Sequence, residues 1–223
     1  MRFFYIRHGE PIYDPDSLTE FGKRQAEAIA KYFAFHGLDK IYTSTSNRAI
    51  QTATPTAKKL NKEMTYLDFA HEKHTWEAFT IQINSERKWI YQLKPLIELF
   101  HSEEINELGF KWYQHPDLKD LSLDKEINRI QDASHRFFEE LGYQYVGHGK
   151  FKVIKDNHDR VAMFSHEGFG LVFLSLLLHI PYPLFCTRFR LDHAKMTIIE
   201  FKNEDGYAYP KIISLSNDCF LNT

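Results

Sequence analysis

The chain has 223 residues, of which 43% are hydrophobic and 26% are charged, an ordinary balance for a globular protein with one sizeable core. Its 28 lysine and arginine residues nearly cancel its 30 aspartate and glutamate residues, so the overall charge favours neither nucleic acid nor an anionic membrane surface as a partner. Any site for an anion must therefore be local.

The N-terminus and the cysteine content favour a cytoplasmic protein. Residues 1–6 lack the apolar length and the small-residue cleavage site of a signal peptide. The most apolar later run, residues 171–180, is about half as long as a transmembrane helix and indicates a buried helix. Cys186 and Cys219 stand alone, without CxxC spacing, which is typical of a reducing compartment.

The first predicted unit is a strand followed by a helix. Residues 2–6 are rich in aromatic and β-branched side chains and indicate a buried strand. Residues 17–20 have the form of a capping box, and apolar residues at helical spacing follow until Gly37 supplies a stop. The pattern repeats with a strand at 40–44, after which Ser46 or Asn47 caps a helix that runs to residue 60.

A third unit lies near the other end of the chain, with a strand at residues 160–164 and an apolar helix at 169–179. Three such units predict an α/β fold with a mainly parallel central sheet and helices on both faces. Ligands of such sheets bind beyond the carboxyl ends of the strands, where the three strand–helix junctions converge. Residues 196–201 and 211–215 predict two strands, joined by a polar turn, that close the sheet.

The alternation breaks between residues 84 and 156. Two helical stripes, at 89–100 and 127–141, precede a predicted hairpin over 143–154. No Pro/Gly/Ser-rich linker or internal repeat marks an independent second domain. We therefore predict a single domain over residues 1–223, with a helical and hairpin insertion, or lid, at about 84–156.

Cationic side chains follow the three predicted parallel strands. Arg7 and His8 come directly after the first strand, and Gly9 lets the backbone approach a ligand closely. Arg48 follows the second strand and His166 the third. Taken alone, each is as well explained by a surface position or a helix cap. Together, at strand ends that converge, they are hard to attribute to a chance surface pattern.

These segments, in this order, resemble the histidine phosphatase superfamily, also called the phosphoglycerate mutase-like family. The resemblance rests on residues 7–10 (Arg-His-Gly-Glu), on the Leu-Thr, Gly and Gln-Ala pattern within 18–26, on 42–53 and on 161–168. It covers both ends of the chain, whereas residues 79–157 carry no motif of the family.

The resemblance implies a metal-independent phosphatase without a cofactor. His8 would attack the phosphorus of a small phosphomonoester, and water would hydrolyse the resulting phosphohistidine. Arg7, Arg48 and His166 would bind the phosphoryl oxygens, with His166 as the second catalytic histidine. The chemistry agrees, because the transferring group spreads negative charge over its oxygens and guanidinium groups suit paired contacts with them.

The reaction also needs an acid, because an alkoxide is a poor leaving group. Members of the family carry this acid in a segment resembling Leu-x-Glu followed by Trp-Glu-Gly, and residues 67–77 are similar to it. Glu72 falls nearest to the first glutamate, with the spacing one residue short, and Glu77 belongs to the Trp-Glu pair. We predict Glu72 as the general acid, with Glu77 as the alternative; either could instead be a solvated surface carboxylate.

Two departures from the family pattern bear on the reaction. Pro11 and Asp14 stand where the family often has Thr or Ser and then an Asn that helps to hold phosphate. The further residues typical of phosphoglycerate mutases are missing between 11 and 17, which favours hydrolysis. The alternatives are a phosphomutase and a catalytically silent protein that binds a phosphoryl ligand. Sugar phosphates, nucleotides and phosphopeptides all remain open as ligands.

Neither a metal nor nucleic acid is expected as a partner. His71 and His74 lie one helical turn apart, yet the sequence has no HExxH, no HxH and no carboxylate cluster of ligand spacing. Trp89 and Trp112 lack an accompanying basic stripe, so packing explains them better than base stacking.

Overall fold

The structure is a computed structural model that describes residues 1–218. In this part of the chain the strands are β1 (Arg2–Arg7), β2 (Pro11–Ile12), β3 (Ser17–Leu18), β4 (Lys40–Ser44), β5 (Met64–Leu67), β6 (Thr80–Ile83), β7 (Glu86–Trp89), β8 (Tyr143–Tyr145), β9 (Phe151–Val153), β10 (Arg160–Ser165), β11 (Met196–Glu200), β12 (Tyr207–Ala208) and β13 (Lys211–Asn217). The α-helices are α1 (Glu20–His36), α2 (Asn47–Leu60), α3 (Glu72–Ala78), α4 (Lys94–Phe100), α5 (Glu103–Leu108), α6 (Leu123–Glu140), α7 (Glu167–Leu177) and α8 (Tyr182–Cys186).

Six strands form the central sheet in the order β13-β11-β1-β10-β4-β5. Strands β1, β10, β4 and β5 are parallel, and β11 runs antiparallel to them. Strand β13 is antiparallel to β11 and therefore has the same direction as the four parallel strands. The predicted α/β fold with a mainly parallel sheet is confirmed. Because β1 and β4 both pair with β10, the carboxyl ends of the three predicted strands adjoin, with Arg7 opposite Ser165 and Phe164 opposite Thr43.

Both faces of the sheet are covered by helices. Phe4 packs edge-on against Phe33 of α1, with ring centroids 5.3 Å apart, in a cluster that also includes α2. Phe3 points to the opposite face, as successive strand residues do, and contacts Phe137 and Phe138 of α6. Burying each ring contributes about 1.5–3 kcal/mol, which explains why the interior of β1, residues 3–6, is aromatic or aliphatic throughout.

Several boundaries differ from the sequence prediction for local reasons. Thr19, not Ser17, caps α1 by accepting from the Gly22 amide at 3.0 Å, because Ser17 pairs with Ile12 in a small hairpin. Trp89, predicted to begin a helical stripe, instead ends β7 by pairing with Thr80. The α-helix of that stripe begins only at Lys94.

The segment of residues 84–156 has two structurally different parts. Strand β7 pairs with β6, and α4 and α5 follow. Helix α6, in contrast, contributes Phe137 and Phe138 to the core of the central sheet. The predicted hairpin is confirmed as β8 and β9, and β12 adds a third strand to it. That any part of the segment acts as a lid stays a prediction.

Helix α7 is apolar and almost fully buried, as the sequence predicts. Among the described residues, none of the helices combines the length and the apolarity needed to cross a bilayer. Cys186 is a buried free thiol, and Cys219 lies outside the described residues.

A close backbone contact fixes the turn after β1. A Cβ added to Gly9 would lie 2.7 Å from the carbonyl oxygen of Gly22, and main chain cannot yield as the end of a side chain can. We expect Gly9→Ala to lower the free energy of unfolding by about 1–3 kcal/mol, as overpacking does. Urea denaturation measures this, and a change within about 0.5 kcal/mol, as for an ordinary surface substitution, would contradict the expectation.

Candidate active site

Side chains from three distant segments meet at the carboxyl ends of β1, β4 and β10. His8 follows β1, Arg48 lies in the first turn of α2, and His166 precedes the first residue of α7. The rings of His8 and His166 lie 5.2 Å apart, and Nε of Arg48 lies 3.1 Å from Nε2 of His8. The structure therefore brings together three predicted site residues that lie far apart in the sequence.

His8 is buried and held by two hydrogen bonds. Its Nδ1 lies 2.8 Å from the carbonyl oxygen of Gly9, and its Nε2 accepts from Nε of Arg48. Because a carbonyl only accepts and a guanidinium only donates, these partners select the neutral imidazole with its proton on Nδ1. Burial, and then the charge of Arg48, lowers the pKa of His8 well below the ordinary value of 6.5. Nε2 therefore carries an unprotonated lone pair.

Arg48 links His8 to two carboxylates. Its Nη1 donates to Oδ1 of Asp16 at 2.8 Å, and its Nη2 donates to Oε2 of Glu72 at 3.0 Å. The Arg48 side chain is only 12% exposed and that of Glu72 15%, so water screens these pairs weakly. The guanidinium group thus holds the histidine and the carboxylate of Glu72 beside each other.

Glu72 reaches the third strand end from the start of α3. Its Oε1 accepts from the backbone amide of Gly168 at 2.9 Å, and its Oε2 lies 3.6 Å from Nδ1 of His166. Glu77, the alternative acid, is exposed near the other end of α3 and is not among the residues that line the pocket beside Glu72. The structure therefore places Glu72, and not Glu77, with the two histidines.

Arg7 is fixed at the end of β1 by two acceptors that differ from the partners of Arg48. Its Nη1 donates to Oε2 of Glu167 at 2.9 Å and to the carbonyl oxygen of Leu191 at 2.7 Å. Burial raises the pKa of Glu167 although Arg7 acts in the opposite direction. Nε of Arg7 is buried and has no hydrogen-bond partner among the described residues.

The sequence analysis missed a third histidine at the site. The ring of His193 lies 5.3 Å from that of His8, and burial, followed by the charge of Arg7, lowers its pKa to about 4. His193 lies in the loop before β11, so it belongs to no block at the end of a parallel strand. Only its residue type could have drawn attention to it.

Two serines that the sequence analysis did not select hold His166. Oγ of Ser44 lies 2.8 Å and Oγ of Ser46 3.2 Å from Nε2 of the imidazole. Burial, and then the neighbouring His8, lowers the pKa of His166 well below 6.5. The hydroxyls leave Nδ1 as the ring nitrogen that is available to another partner.

Three buried nitrogen atoms near His8 lack a hydrogen-bond partner within residues 1–218: Nε of Arg7, Nδ1 of His166 and Nε2 of His193. Buried polar atoms in proteins are normally satisfied, so three such atoms around one side chain need an explanation. An anion with several acceptor oxygens, placed next to His8, would supply partners for all three.

The same residues could be considered as metal ligands. His8, Glu72 and His166 each offer one ligand atom, and these atoms lie within 4.8 Å of one another. However, Arg48 already donates to the free nitrogen of His8 and to Glu72, and Arg7 adds a second positive charge nearby. Two guanidinium groups oppose a cation electrostatically and attract an anion. The donor set therefore fits an anion better than a metal ion.

An open pocket of about 540 Å³ adjoins the cluster. Its lining residues are Tyr13, Arg48, His71, Glu72, Lys73, Trp76 and Trp89. Since it shares Arg48 and Glu72 with the cluster, a ligand that binds there has one end beside His8.

Comparison with known proteins agrees with this geometry. Residues 3–93 match the model of the histidine phosphatase superfamily (branch 1), a range that includes His8, Arg48 and Glu72. A search among curated proteins finds no match to this chain.

Solved structures share the fold over nearly the whole chain. Phosphoserine phosphatase from Entamoeba histolytica, in complex with 3-phosphoglyceric acid, superposes with a TM-score of 0.63 and 18% identity, covering 99% of this chain and 98% of that one. Mycobacterial glucosyl-3-phosphoglycerate phosphatase superposes with a TM-score of 0.62 and 14% identity, covering 97% of this chain and 99% of that one. The alpha-ribazole phosphatase from Shigella flexneri superposes with a TM-score of 0.62 and 17% identity, covering 97% of this chain and 96% of that one. At these identities the likeness establishes a common fold.

Proposed function

We propose that this chain, of which residues 3–93 match the model of the histidine phosphatase superfamily (branch 1), is a phosphatase that hydrolyses a small phosphomonoester through a phosphohistidine on His8. The observation that carries the proposal is a neutral, buried His8 with nearby nitrogen atoms of Arg7, His166 and His193 that have no hydrogen-bond partner among residues 1–218. Phosphoryl transfer needs a nucleophile, and it needs fixed hydrogen-bond donors for the oxygens of the transferring group. This cluster provides both.

In the first step, Nε2 of His8 forms a bond to phosphorus while the bond from phosphorus to the ester oxygen breaks. Arg48 gives up its contact with Nε2 and donates to a phosphoryl oxygen instead, since the lone pair must face phosphorus. The Gly9 carbonyl keeps its hydrogen bond from Nδ1 and stabilises the positive charge that develops on the ring.

Glu72 supplies the proton that the leaving oxygen needs, so the alcohol departs neutral. Its position supports this role, because Arg48 links its carboxyl group to His8 and that group lies 3.6 Å from His166. In the second step, water attacks the phosphohistidine and its proton passes to Glu72. Inorganic phosphate leaves, and the neutral His8 is restored.

Arg7, His166 and His193 stabilise the charge on the phosphoryl oxygens in this proposal. His166 also stands at the N-terminus of α7, where the positive end of the helix dipole favours an anion. No ionisation of these three groups is required, because the neutral imidazoles donate through an N–H and the guanidinium is always charged.

The lowered pKa of His8 predicts activity that persists in mild acid. The neutral ring is the nucleophile, and its folded-state pKa lies well below 6.5, so it is lost only when the pH falls through that lower value. After correction for the second ionisation of the ester, the acid limb of kcat/KM should lie below pH 6.5. A profile measured from about pH 4.5 to about pH 8 tests this. An acid limb centred at 6.5 or above would contradict it.

Release of inorganic phosphate from a panel of phosphomonoesters, with a chelator present, tests the proposed function. We expect turnover that the chelator does not reduce. A phosphomutase would yield an isomerised ester instead of free phosphate, and a silent binding protein would bind phosphate without turnover. The cytoplasmic location, and a small-molecule substrate rather than nucleic acid or a membrane as the partner, remain proposals that rest on the charge balance and the cysteine pattern.

A further inference from the structure

We propose that the alcohol part of the substrate carries a planar aromatic ring that binds against Tyr13, Trp76 and Trp89. This inference rests on the proposed phosphatase function and adds a substrate class to it. It concerns the pocket of about 540 Å³, whose volume lies in the range typical of sites for one small molecule. Because Glu72 lines both this pocket and the catalytic cluster, the group attached to the ester oxygen extends into the pocket.

Two indole rings form part of the pocket wall. The rings of Trp76 and Trp89 meet edge to face, with centroids 4.9 Å apart. Trp89 also packs directly on Gly168, where any Cβ would overlap the indole. The amide of Gly168 is the group that donates to Glu72. The ring of Trp89 is therefore fixed against the backbone that positions the proposed acid.

A third ring reaches the same pocket from the turn between β2 and β3. The guanidinium carbon of Arg48 lies 5.6 Å from the centroid of the Tyr13 ring. Tyr13 is 67% exposed and Trp76 36%, although both are large and aromatic. Exposed aromatic side chains that converge on one pocket from separate segments leave apolar ring surface open to water, and such surfaces commonly mark binding sites.

The lining favours a flat ring over a short polar alcohol. A ring can stack on the tyrosine or meet an indole edge to face, which adds attraction beyond the burial of area. His71 and Lys73 are polar members of the lining and can donate to heteroatoms of the ring. A phenyl compound and a nucleobase share this planar chemistry, so the experiment includes both.

The ratio of kcat/KM for benzyl phosphate to that for cyclohexylmethyl phosphate tests the inference. The two esters have the same number of carbon atoms and alcohols of similar acidity, but only the first is flat and aromatic. We expect a preference of at least about fivefold for benzyl phosphate. A second pair, a nucleoside 5′-monophosphate and ribose 5-phosphate, shows whether a nucleobase is favoured still more strongly.

Variants assign the preference to the pocket. Tyr13→Ser and Trp76→Ser should each reduce the benzyl-to-cyclohexylmethyl ratio by about threefold or more, since each removes one aromatic contact. Phe35→Ser is the matched control, because Phe35 is an aromatic residue of α1 that is 87% exposed and does not line the pocket. The control should keep the wild-type ratio.

The outcomes separate the two proposals. A ratio near one for both ester pairs, with phosphate still released, would overturn the ring-bearing substrate and leave the phosphatase intact. Ratios unchanged in both pocket variants would also overturn it. If no ester were hydrolysed, the proposed function would fail. Affinities for benzylphosphonate and cyclohexylmethylphosphonate, measured by calorimetry, would then still decide whether the pocket prefers an aromatic ring.

Discussion

Replacing His8 with alanine is expected to lower kcat by about 10⁴-fold or more, because the variant has no group that can form the covalent intermediate. Phosphate release under saturating ester, with a chelator present, measures the effect. Any residual activity would come from water that attacks the bound ester directly. Only the charge stabilisation by Arg7, Arg48 and His166 would then accelerate the reaction.

His74→Ala is the matched control for this variant. His74 is exposed on α3, and within residues 1–218 it has no hydrogen bond or ion pair with His8, Arg48, Glu72 or His166, so its removal should leave kcat within about twofold of the wild type. The far-ultraviolet circular dichroism of both variants shows whether they fold. A folded His8→Ala protein with wild-type kcat would refute the role of His8.

Replacing Glu72 with glutamine is expected to lower kcat for an alkyl phosphate by about 10²–10⁴-fold, the usual contribution of a general acid. The amide preserves the shape of the side chain and can still accept from the Gly168 amide. With p-nitrophenyl phosphate the loss in the first step should be much smaller, because the nitrophenolate leaves without protonation. Burst kinetics on both esters separate this step from hydrolysis of the intermediate.

Glu77→Gln provides the comparison that the sequence itself suggests. Glu77 is exposed and lies outside the pocket lining, so its loss should leave both esters unaffected. If Glu77→Gln instead lowered kcat much more for the alkyl phosphate than for p-nitrophenyl phosphate, the assignment of Glu72 as the acid would be wrong. Equal losses in the rate of the first step for alkyl and nitrophenyl esters in Glu72→Gln would show that Glu72 positions the site rather than donating a proton.

The strands that carry the site were predictable from the sequence because they are buried on both faces. Residues 40–44 coincide with β4, and the apolar runs at 2–6 and 160–164 fall within β1 and β10. A central parallel strand has a continuous apolar pattern that its helical covering requires. The polar residues that follow it at its carboxyl end are therefore easy to locate.

The choice between Glu72 and Glu77 shows what spacing alone leaves open. Both lie on α3, and five residues along a helix correspond to a rotation of about 140°. They cannot both face His166, yet the sequence does not say which of them does. The contacts of Glu72 with Arg48 and Gly168 settle the placement through tertiary structure.

Local sequence patterns do not identify Asp16, His193 or Trp89 as residues of the site. Asp16 and His193 lie in loops, where hydrophobic periodicity carries no signal, and they reach Arg48 and His8 only through the fold. Trp89 fits a helical stripe in the sequence, but the pairing of β6 and β7 overrides that periodicity. The aromatic pocket depends on this hairpin and was therefore not foreseen.

The covalent intermediate is the central claim, and trapping it tests the claim most directly. Glu72→Gln protein is mixed with p-nitrophenyl phosphate, quenched in alkali and digested, and the masses of the peptides are measured. The first step should remain fast while water attack is slowed, so the peptide that contains His8 should become heavier by one phosphoryl group, and the His8→Ala protein should show no such gain. Phosphate release without any modified peptide, or with the phosphoryl group on another residue, would contradict the account.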